Sequence, residues 1–510
     1  MSEVLFGQSY YLRFDPKLWK AQQPYPPLGT LCAAAYLREH GYTVALFDAM
    51  IATSEAEWAV ALEQEAPRFA VLYEDSFNYL SKMCLLRMRE AGLSMAATAH
   101  ARGCTTIVSG SDATDHPQQY LDAGADFVLI GEGEVTLREL LDALSGRSGA
   151  PLDRIAGLCF RSADGRVVRT AARPLIRDLD TLPFPARDLV DIDGYRRTWT
   201  ARHGSFSMNL VTTRGCPYHC NWCAKPIYGQ RYTVRSPANV VAEMAGLQRT
   251  YRPDHLWFAD DLFGLKPGWI EQFADLVVRE GCAIPFKCLL RADLVDEGIA
   301  AALARARCRT VWIGAESGSQ RILDAMEKGT TVEQIARATR WLRNAGIEVG
   351  FFLQFGYPGE TRADIDKTLT MVRECQPDDI GISVSYPLPG TKFYERVVAQ
   401  LGGKRNWTDS NDLDMMYRGT YSTDFYRKLY TVVHKEFRIR KSRQALGARP
   451  GAWRLGREGM RQAAALVYHT ATLPVERLHL RRLGRSPHQG LQPLEPGMSQ
   501  PLAARPSDPR

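Results

Sequence analysis

Short apolar runs alternate with helical patterns twice along this chain, and in its second half every such run ends in a polar cluster. From Phe206 onward the runs Met208–Thr212, Leu256–Ala259, Phe286–Leu290, Thr310–Ile313, Glu348–Leu353 and Asp379–Val384 read as strands. Helical patterns at Trp269–Glu280, Glu297–Ala306 and Thr331–Ala345 lie between them. Such alternation predicts a parallel sheet covered by helices, and six strand–helix units suggest a partial (β/α)6 barrel. In βα barrels the chemistry collects at the carboxyl ends of the strands. There the sequence places a cysteine-rich loop, Asp260-Asp261, Arg291, Gly314-Ala315-Glu316-Ser317-Gly318, Gly356-Tyr357-Pro358-Gly359-Glu360 and Tyr386–Gly390.

The first half reads as a second α/β unit. Strands at Glu3–Phe6, Thr43–Phe47, Phe69–Leu72, Thr105–Val108 and Phe127–Ile130 alternate with helices at Thr30–His40, Glu55–Gln64, near Ser81–Gly92 and at Gln118–Ala123. This predicts a doubly wound, Rossmann-like sheet with its ligand at the strands' carboxyl ends, in the loops Gly7–Gly29, Tyr73–Leu80, Ser109–Pro117 and Gly131–Glu134. The expected organisation is residues 1–150 as this domain, 151–200 as a linker with a short hairpin, 201–400 as the barrel, 401–450 as a helical segment and 451–510 as a basic, partly disordered tail.

The loop after the first barrel strand carries Cys216, Cys220 and Cys223 in the run Arg214-Gly215-Cys216-Pro217-Tyr218-His219-Cys220-Asn221-Trp222-Cys223. A structural zinc site closes a tetrahedron with four ligands, and a 4Fe–4S cluster normally takes four cysteines. Three thiolates leave one iron open for a substrate. This C-x3-C-x2-C spacing, with an aromatic (Trp222) before the last cysteine, resembles the radical S-adenosylmethionine (SAM) superfamily. The resemblance implies a 4Fe–4S cluster on the three cysteines, SAM chelated to the open iron, and one-electron cleavage to a 5′-deoxyadenosyl radical. It further implies SAM contacts at Trp222, at Glu316 and Ser317, at Asp260 and Asp261 by position, at Arg291 towards the SAM carboxylate, and at the Gly356 turn for adenine. Plainer readings stay beside these: a zinc knuckle completed by His219 or a distant cysteine, a helix cap at Ser317 or Ser319, a helix cap or salt bridge at Asp260 and Asp261, and an ordinary Pro-Gly turn.

The first half resembles the cobalamin-binding domains that precede many radical SAM enzymes. Pro27-Leu28-Gly29, Ser109-Gly110-Ser111 and Gly131-Glu132-Gly133-Glu134 carry that likeness, which implies corrinoid contacts at Gly29, Ser109, Gly110, Gly131 and Glu132. The usual histidine loop to cobalt is absent, since residues 7–29 contain no histidine. A Rossmann-like domain that binds nothing remains the alternative. The aromatic and Asp-rich segment 404–437 resembles the anaerobic Mg-protoporphyrin monomethyl ester cyclase group and hopanoid-associated radical SAM proteins. Phe425, Tyr426 and Leu429 there read equally as core contacts or as a substrate lid.

Charge excludes one class. Net charge is +7, yet residues 436–510 hold 14 Lys or Arg against 5 Asp or Glu, so the rest sums to −2. No basic channel for nucleic acid is expected. No charged-then-apolar leader opens the sequence and no apolar run reaches the roughly 18 residues that span a bilayer, so a cytoplasmic location is expected. The other eight cysteines are scattered, as reduced thiols would be. His116, His203 and His255 read as structural. Residues 452–468 leave two readings open, a basic amphipathic helix on acidic membrane or a solvated helix before a disordered tail. The expected protein is a radical SAM enzyme, cobalamin-dependent, that methylates or oxidatively cyclises an unactivated carbon of a small molecule, lipid or tetrapyrrole-like. Its electron donor would be of flavodoxin or ferredoxin type. The alternatives are radical SAM chemistry without cobalamin, or a non-catalytic iron–sulfur or zinc module.

Overall fold

The computed structural model describes residues 2–83, 85–447 and 457–485. Two sheets, one mixed and one parallel, organise it. The first contains β1 (Val4–Gly7), β2 (Val44–Leu46), β3 (Phe69–Tyr73), β4 (Thr105–Ser109), β5 (Phe127–Leu129), β6 (Leu158–Arg161) and β7 (Val167–Arg169), in the order β2-β1-β3-β4-β5-β6-β7. The first five strands are parallel. They are apolar on both faces because helices cover both, as buried parallel strands require. Helices Leu28–Glu39 and Glu134–Leu144 bury Ala33, Leu37, Leu137 and Leu140 on one side. Helices Ala56–Glu65 and Leu86–Ala101 bury Trp58, Leu62, Ala91 and Met95 on the other.

The second sheet contains β8 (Ser207–Leu210), then a short antiparallel pair β9 (Thr213–Arg214) and β10 (Thr233–Val234) that stands apart, then β11 (His255–Phe258), β12 (Phe286–Leu290), β13 (Cys308–Glu316), β14 (Glu348–Phe355) and β15 (Asp379–Val384). Its order is β15-β14-β13-β12-β11-β8, all parallel, an unclosed barrel of six strands. Side chains alternate across a strand. Phe258, Phe286, Cys288, Val311, Ile313 and Phe351 are buried in the core shared with the covering helices, while Trp257, Lys287, Trp312 and Phe352 point to the opposite, concave face. The helices start where their caps dictate. Ser236 caps Pro237–Thr250, and Thr331 and Thr361 form reciprocal capping boxes before Val332–Asn344 and Arg362–Cys375.

The structure departs from the sequence reading in several places. The hairpin expected inside a linker, β6 and β7, instead extends the first sheet through antiparallel pairing of β5 with β6, since buried Leu158 and Phe160 need that core. The helix expected near Ser81–Gly92 is two helices, Tyr79–Lys82 and Leu86–Ala101. Helix Glu134–Leu144 was not foreseen; its first residue was read as the end of a loop. Beyond residue 456 the chain is not simply a tail: helix Arg457–Leu483 packs along helix Thr423–Gly447. There Glu476 accepts from both Lys428 (2.7 Å) and Lys435 (2.9 Å). The expectations for residues 452–456 and for a disordered tail after 485 lie outside the described residues. Phe425, Tyr426 and Leu429 are buried in the barrel core, with Ser422 Oγ accepting from Phe425 N. Among the described residues no helix is long and apolar enough to cross a membrane.

Candidate active site

The cysteine loop leaves β9 and returns through β10. Gly215 makes its first bend at φ +78°, where a Cβ would lie 2.3 Å from the Arg231 carbonyl oxygen, so no other residue fits. Cys220 is buried, and Cys216 and Cys223 are half-buried; none is in a disulfide. Asn221 fixes the loop from inside. Its N–H donates to Met326 O (3.0 Å), its Nδ2 to Ala325 O (2.8 Å), and its Oδ1 accepts from the Tyr357 hydroxyl (2.9 Å). Lys225 Nζ donates to Tyr218 O at 2.6 Å. The Arg291 guanidinium lies 3.6 Å from the Tyr218 ring centroid and is held by Asp293 at 2.9 and 3.0 Å. Burial pushes the Cys216 thiol up and the Cys223 thiol up to about 12, a bias that metal ligation reverses.

The other expected barrel residues divide into two groups. Arg291 and Glu316 border the loop that carries Trp222. Glu316 ends β13 at a bulge, with left-handed φ +56°. It pairs with buried Lys328 at 2.8 Å over Gly314, and Lys328 Nζ stands 6.0 Å from the Trp222 ring. Burial alone would lower the Lys328 ammonium, but the Glu316 carboxylate overrides it and raises it. Gly356 turns at φ +78° and donates its N–H to Glu360 at 2.6 Å, while its carbonyl accepts from the Tyr417 hydroxyl. Three residues already have partners within the fold. Ser317 is fully buried, its Oγ within 3.2 Å of Thr368 Oγ1. Asp260 accepts from Thr212 N (2.7 Å), Thr213 N (2.8 Å) and both threonine hydroxyls, clamping the strand that leads into the loop. Burial still raises its carboxyl to about 6 against those hydrogen bonds. Asp261 faces the other domain and meets Lys82 at 2.5 Å.

At the first sheet's edge the small residues are matched to their own neighbours. A Cβ at Gly110 would lie 2.7 Å from the Glu74 side chain, and one at Gly29 3.1 Å from Asp75. Asp75 accepts from Leu28 N (3.1 Å) and Gly29 N (2.9 Å), capping that helix from the loop after β3. Ser109 is buried beside the Gly133 position, and Gly131 turns at φ +77° towards Ile227 of the cysteine loop region. Glu132 reaches across to the barrel domain. Arg214, two residues before Cys216, donates to Glu132 at 2.5 Å and to Glu134 at 2.7 Å, with all three side chains at most 5% exposed. The loop after β5 is thereby locked to the strand that carries the cysteines. Arg187, Glu243 and Arg235 form a second buried network beneath it, at 2.6 and 2.5 Å.

Sequence reasoning missed Arg214, Glu134, Asn221, Lys328, Glu74 and Asp75. Arg214 and Glu134 carried a signal, a charged residue at each of two strand ends; the partners lie some 80 residues apart. Of the lone histidines, His203 meets the Ala21 and Gln22 carbonyls, His255 meets Ser207 Oγ at 3.0 Å, and His116 lies 4.0 Å from Asp112.

Comparison with known proteins agrees with this geometry. Residues 210–372 match the radical SAM superfamily and residues 18–141 match the B12 binding domain. An uncharacterized methyltransferase of Pyrococcus horikoshii is 31% identical over 319 residues, 62% of this chain and 68% of that protein. The anaerobic magnesium-protoporphyrin IX monomethyl ester cyclase of Rubrivivax gelatinosus is 26% identical over 73% of this chain and 66% of its own length. The chain thus spans about two thirds of each. The solved structure of the cobalamin-dependent SAM radical enzyme OxsB with aqua-cobalamin bound shares the fold at TM-score 0.70 and 18% identity, over 94% of this chain and 72% of that one. The chain belongs to the radical SAM superfamily, in the group that carries a B12-binding domain ahead of the barrel. It is an enzyme of the methyltransferase and cyclase class, with a 4Fe–4S cluster, SAM and cobalamin as its cofactors.

The residues present fit those groups. Among the described residues no three His, Cys, Asp or Glu side chains gather tightly enough to chelate a single ion. The three free thiols on one anchored loop are the soft donors an iron–sulfur cluster takes. Near the cysteine loop the Trp222 Nε1 and the Thr330 hydroxyl are buried without a partner. On the loops leaving β1, β3 and β4, so are Gln8 Nε2, the Tyr10 hydroxyl, Glu74 Oε2, Ser81 Oγ and Ser111 Oγ. Buried polar atoms are seldom left unpaired. The amide-rich rim of a corrinoid offers partners to the second set, and SAM offers them to the first.

Proposed function

We propose that this protein is a cobalamin-dependent radical SAM C-methyltransferase acting on an unactivated carbon of a small, lipid or tetrapyrrole-like substrate. The observation that carries the reading is the Arg214 clamp. Through Glu132 and Glu134 it joins the corrinoid edge of one domain to the cysteine loop of the other, so the two cofactor edges meet at one interface.

In this reading Cys216, Cys220 and Cys223 hold the cluster, and Asn221 and Gly215 set the loop's shape. Trp222, Arg291 and the Glu316–Lys328 pair border the SAM site, with Arg291 the cation available to a carboxylate. Gly356 offers close backbone approach for the adenine. Gly29, Ser109, Gly110 and Gly131 keep the corrinoid edge free of bulk, and Gln8, Glu74 and Ser111 bind the corrinoid rim. When bound, the cluster supplies one electron and an open coordination site, and the corrinoid supplies a transferable methyl group. Burial raises the Glu74 carboxyl to about 8, so at neutral pH it is protonated and donates to an amide oxygen. A flavodoxin- or ferredoxin-type donor would feed the cluster, and a cytoplasmic location fits oxygen-sensitive chemistry. Peripheral membrane contact through the basic C-terminal region would suit a lipid substrate.

A second reading, cyclase-type oxidation, is favoured by the likeness to the Rubrivivax cyclase. Product analysis separates them. Methyl transfer uses two SAM molecules and yields S-adenosylhomocysteine together with 5′-deoxyadenosine in anoxic turnover. Deoxyadenosine without S-adenosylhomocysteine would replace methylation with oxidation.

A further inference from the structure

Helix Arg457–Leu483 is apolar on two faces, and the fold uses one of them. Leu473 and Leu480 are buried in the core that includes Val432 and Val433 of helix Thr423–Gly447. Glu476 on the same side binds Lys428 and Lys435. On the opposite side Met460, Val467, Val475 and Leu478 recur at helical spacing, with Ala464 and Ala471 between them. Val467 and Val475 each keep 69% of their surface exposed, and Met460 keeps 56%. From Met460 to Leu478 the stripe runs about 27 Å along the helix. A helix that is apolar all round is ordinarily buried all round; this one is buried on one side only. Exposed apolar patches of this kind mark interaction sites.

Charge decides the occupant. Arg461, Arg477, Arg481 and Arg482 are exposed beside the stripe or at its C-terminal end. Arg477 also pairs with Glu436 at 2.8 Å, on the margin towards the neighbouring helix. Residues 459–485 contain five arginines and one acid, Glu476, which is turned inward. Two copies meeting on this face through a two-fold axis would set arginine rim against arginine rim, with no carboxylate there to receive them. A bilayer with anionic headgroups complements both parts, since its acyl chains take the stripe and its headgroups take the rim.

The helix also ends close to the chemistry. A Cβ at Gly484 would lie 3.2 Å from the Phe425 ring, and the Phe425 and Tyr426 ring centroids are 5.3 Å apart. Tyr426 in turn lies 3.3 Å from where a Cβ at Gly356 would stand. Two aromatic side chains therefore separate the arginine-rich end of the helix from the proposed SAM edge.

We propose that the outer face of helix Arg457–Leu483 docks the enzyme on an anionic lipid bilayer, the helix lying in the plane of the surface with the barrel's carboxyl edge beside it. The inference extends the membrane contact named above and rests on that reading for the purpose of docking. The test is flotation of the anoxically purified full chain with vesicles of phosphatidylcholine alone and of phosphatidylcholine with phosphatidylglycerol. At least about tenfold more protein should float with the anionic vesicles, because each arginine near the surface adds to the attraction. Val467→Asp with Val475→Asp should abolish that binding, and Val467→Leu with Val475→Leu should keep it. Both positions are exposed, and an unchanged thermal midpoint shows that each variant folds. Failure of the unaltered protein to float with anionic vesicles, equal binding to both vesicle types, or binding that survives the paired aspartates overturns the proposal. So does a dimer in light scattering that the paired aspartates dissociate, which would assign the face to a second copy of the chain. Flotation needs no turnover. Its failure is therefore distinct from failure of the proposed function, which is read as S-adenosylhomocysteine and 5′-deoxyadenosine formation by the unaltered enzyme.

Discussion

The two sheets end alike and are equipped differently. Both are built on parallel strands, both are covered by helices, and both turn their carboxyl ends towards the same interface. The barrel edge carries three thiols on a loop tied down by Asn221, with Arg291 and the Glu316–Lys328 pair beside it. The first sheet's edge carries no thiol and no histidine in its β1 loop. It holds glycines fitted around Glu74 and Asp75, and buried polar atoms that lack partners. A metal cluster needs a few strong covalent donors, so its site is written in residue identity. A corrinoid needs many weak polar contacts and space, so its site is written in what the backbone leaves open.

The sharpest way to break the comparison is Cys220→Ala. It should abolish the cluster, with iron and the charge-transfer absorbance falling to background, yet leave corrinoid binding intact; loss of both would show that the two edges are not separable. Next comes Arg214→Met, which leaves Glu132 and Glu134 buried without their cation. Breaking a buried pair costs about 3–5 kcal/mol, and a large drop in the thermal unfolding midpoint is expected, with Arg214→Lys intermediate. Asp260→Asn comes third. It weakens hydrogen bonds to two backbone N–H groups, a cost of about 1–3 kcal/mol, read by denaturant unfolding.

A pH series sharpens the comparison, because each edge holds one buried carboxyl, Glu74 and Glu360, raised by burial to about 8. Each is protonated in the folded state where the unfolded chain has already ionised. Their contribution to stability is full below the ordinary glutamate range and is lost as pH rises towards 8. Glu74→Gln and Glu360→Gln should each flatten the fall in thermal midpoint between pH 5 and pH 8. The smallest effect is expected for Lys82→Met, which removes a part-exposed pair with Asp261 and should cost under about 1 kcal/mol.

The same contrast explains what the sequence disclosed. The six barrel strands and the cysteine loop were legible because apolar periodicity and thiol spacing are local. The β6–β7 hairpin was recognised but its sheet was not, because pairing with β5 is decided by the exposed edge it covers. The pairing of Glu132 with Arg214 is a contact between residues 82 apart that no window of sequence contains. Ser317 and Asp260 sit where the family's pattern places ligands, yet Thr368 and the Thr212–Thr213 pair occupy them.

The measurement that tests the central claim most directly is the corrinoid and iron content of the full chain after anoxic expression with cobalamin supplied. The account predicts near one cobalamin and four irons per chain, with S-adenosylhomocysteine and 5′-deoxyadenosine both formed on turnover. A protein with an intact cluster and no retained cobalamin would contradict it.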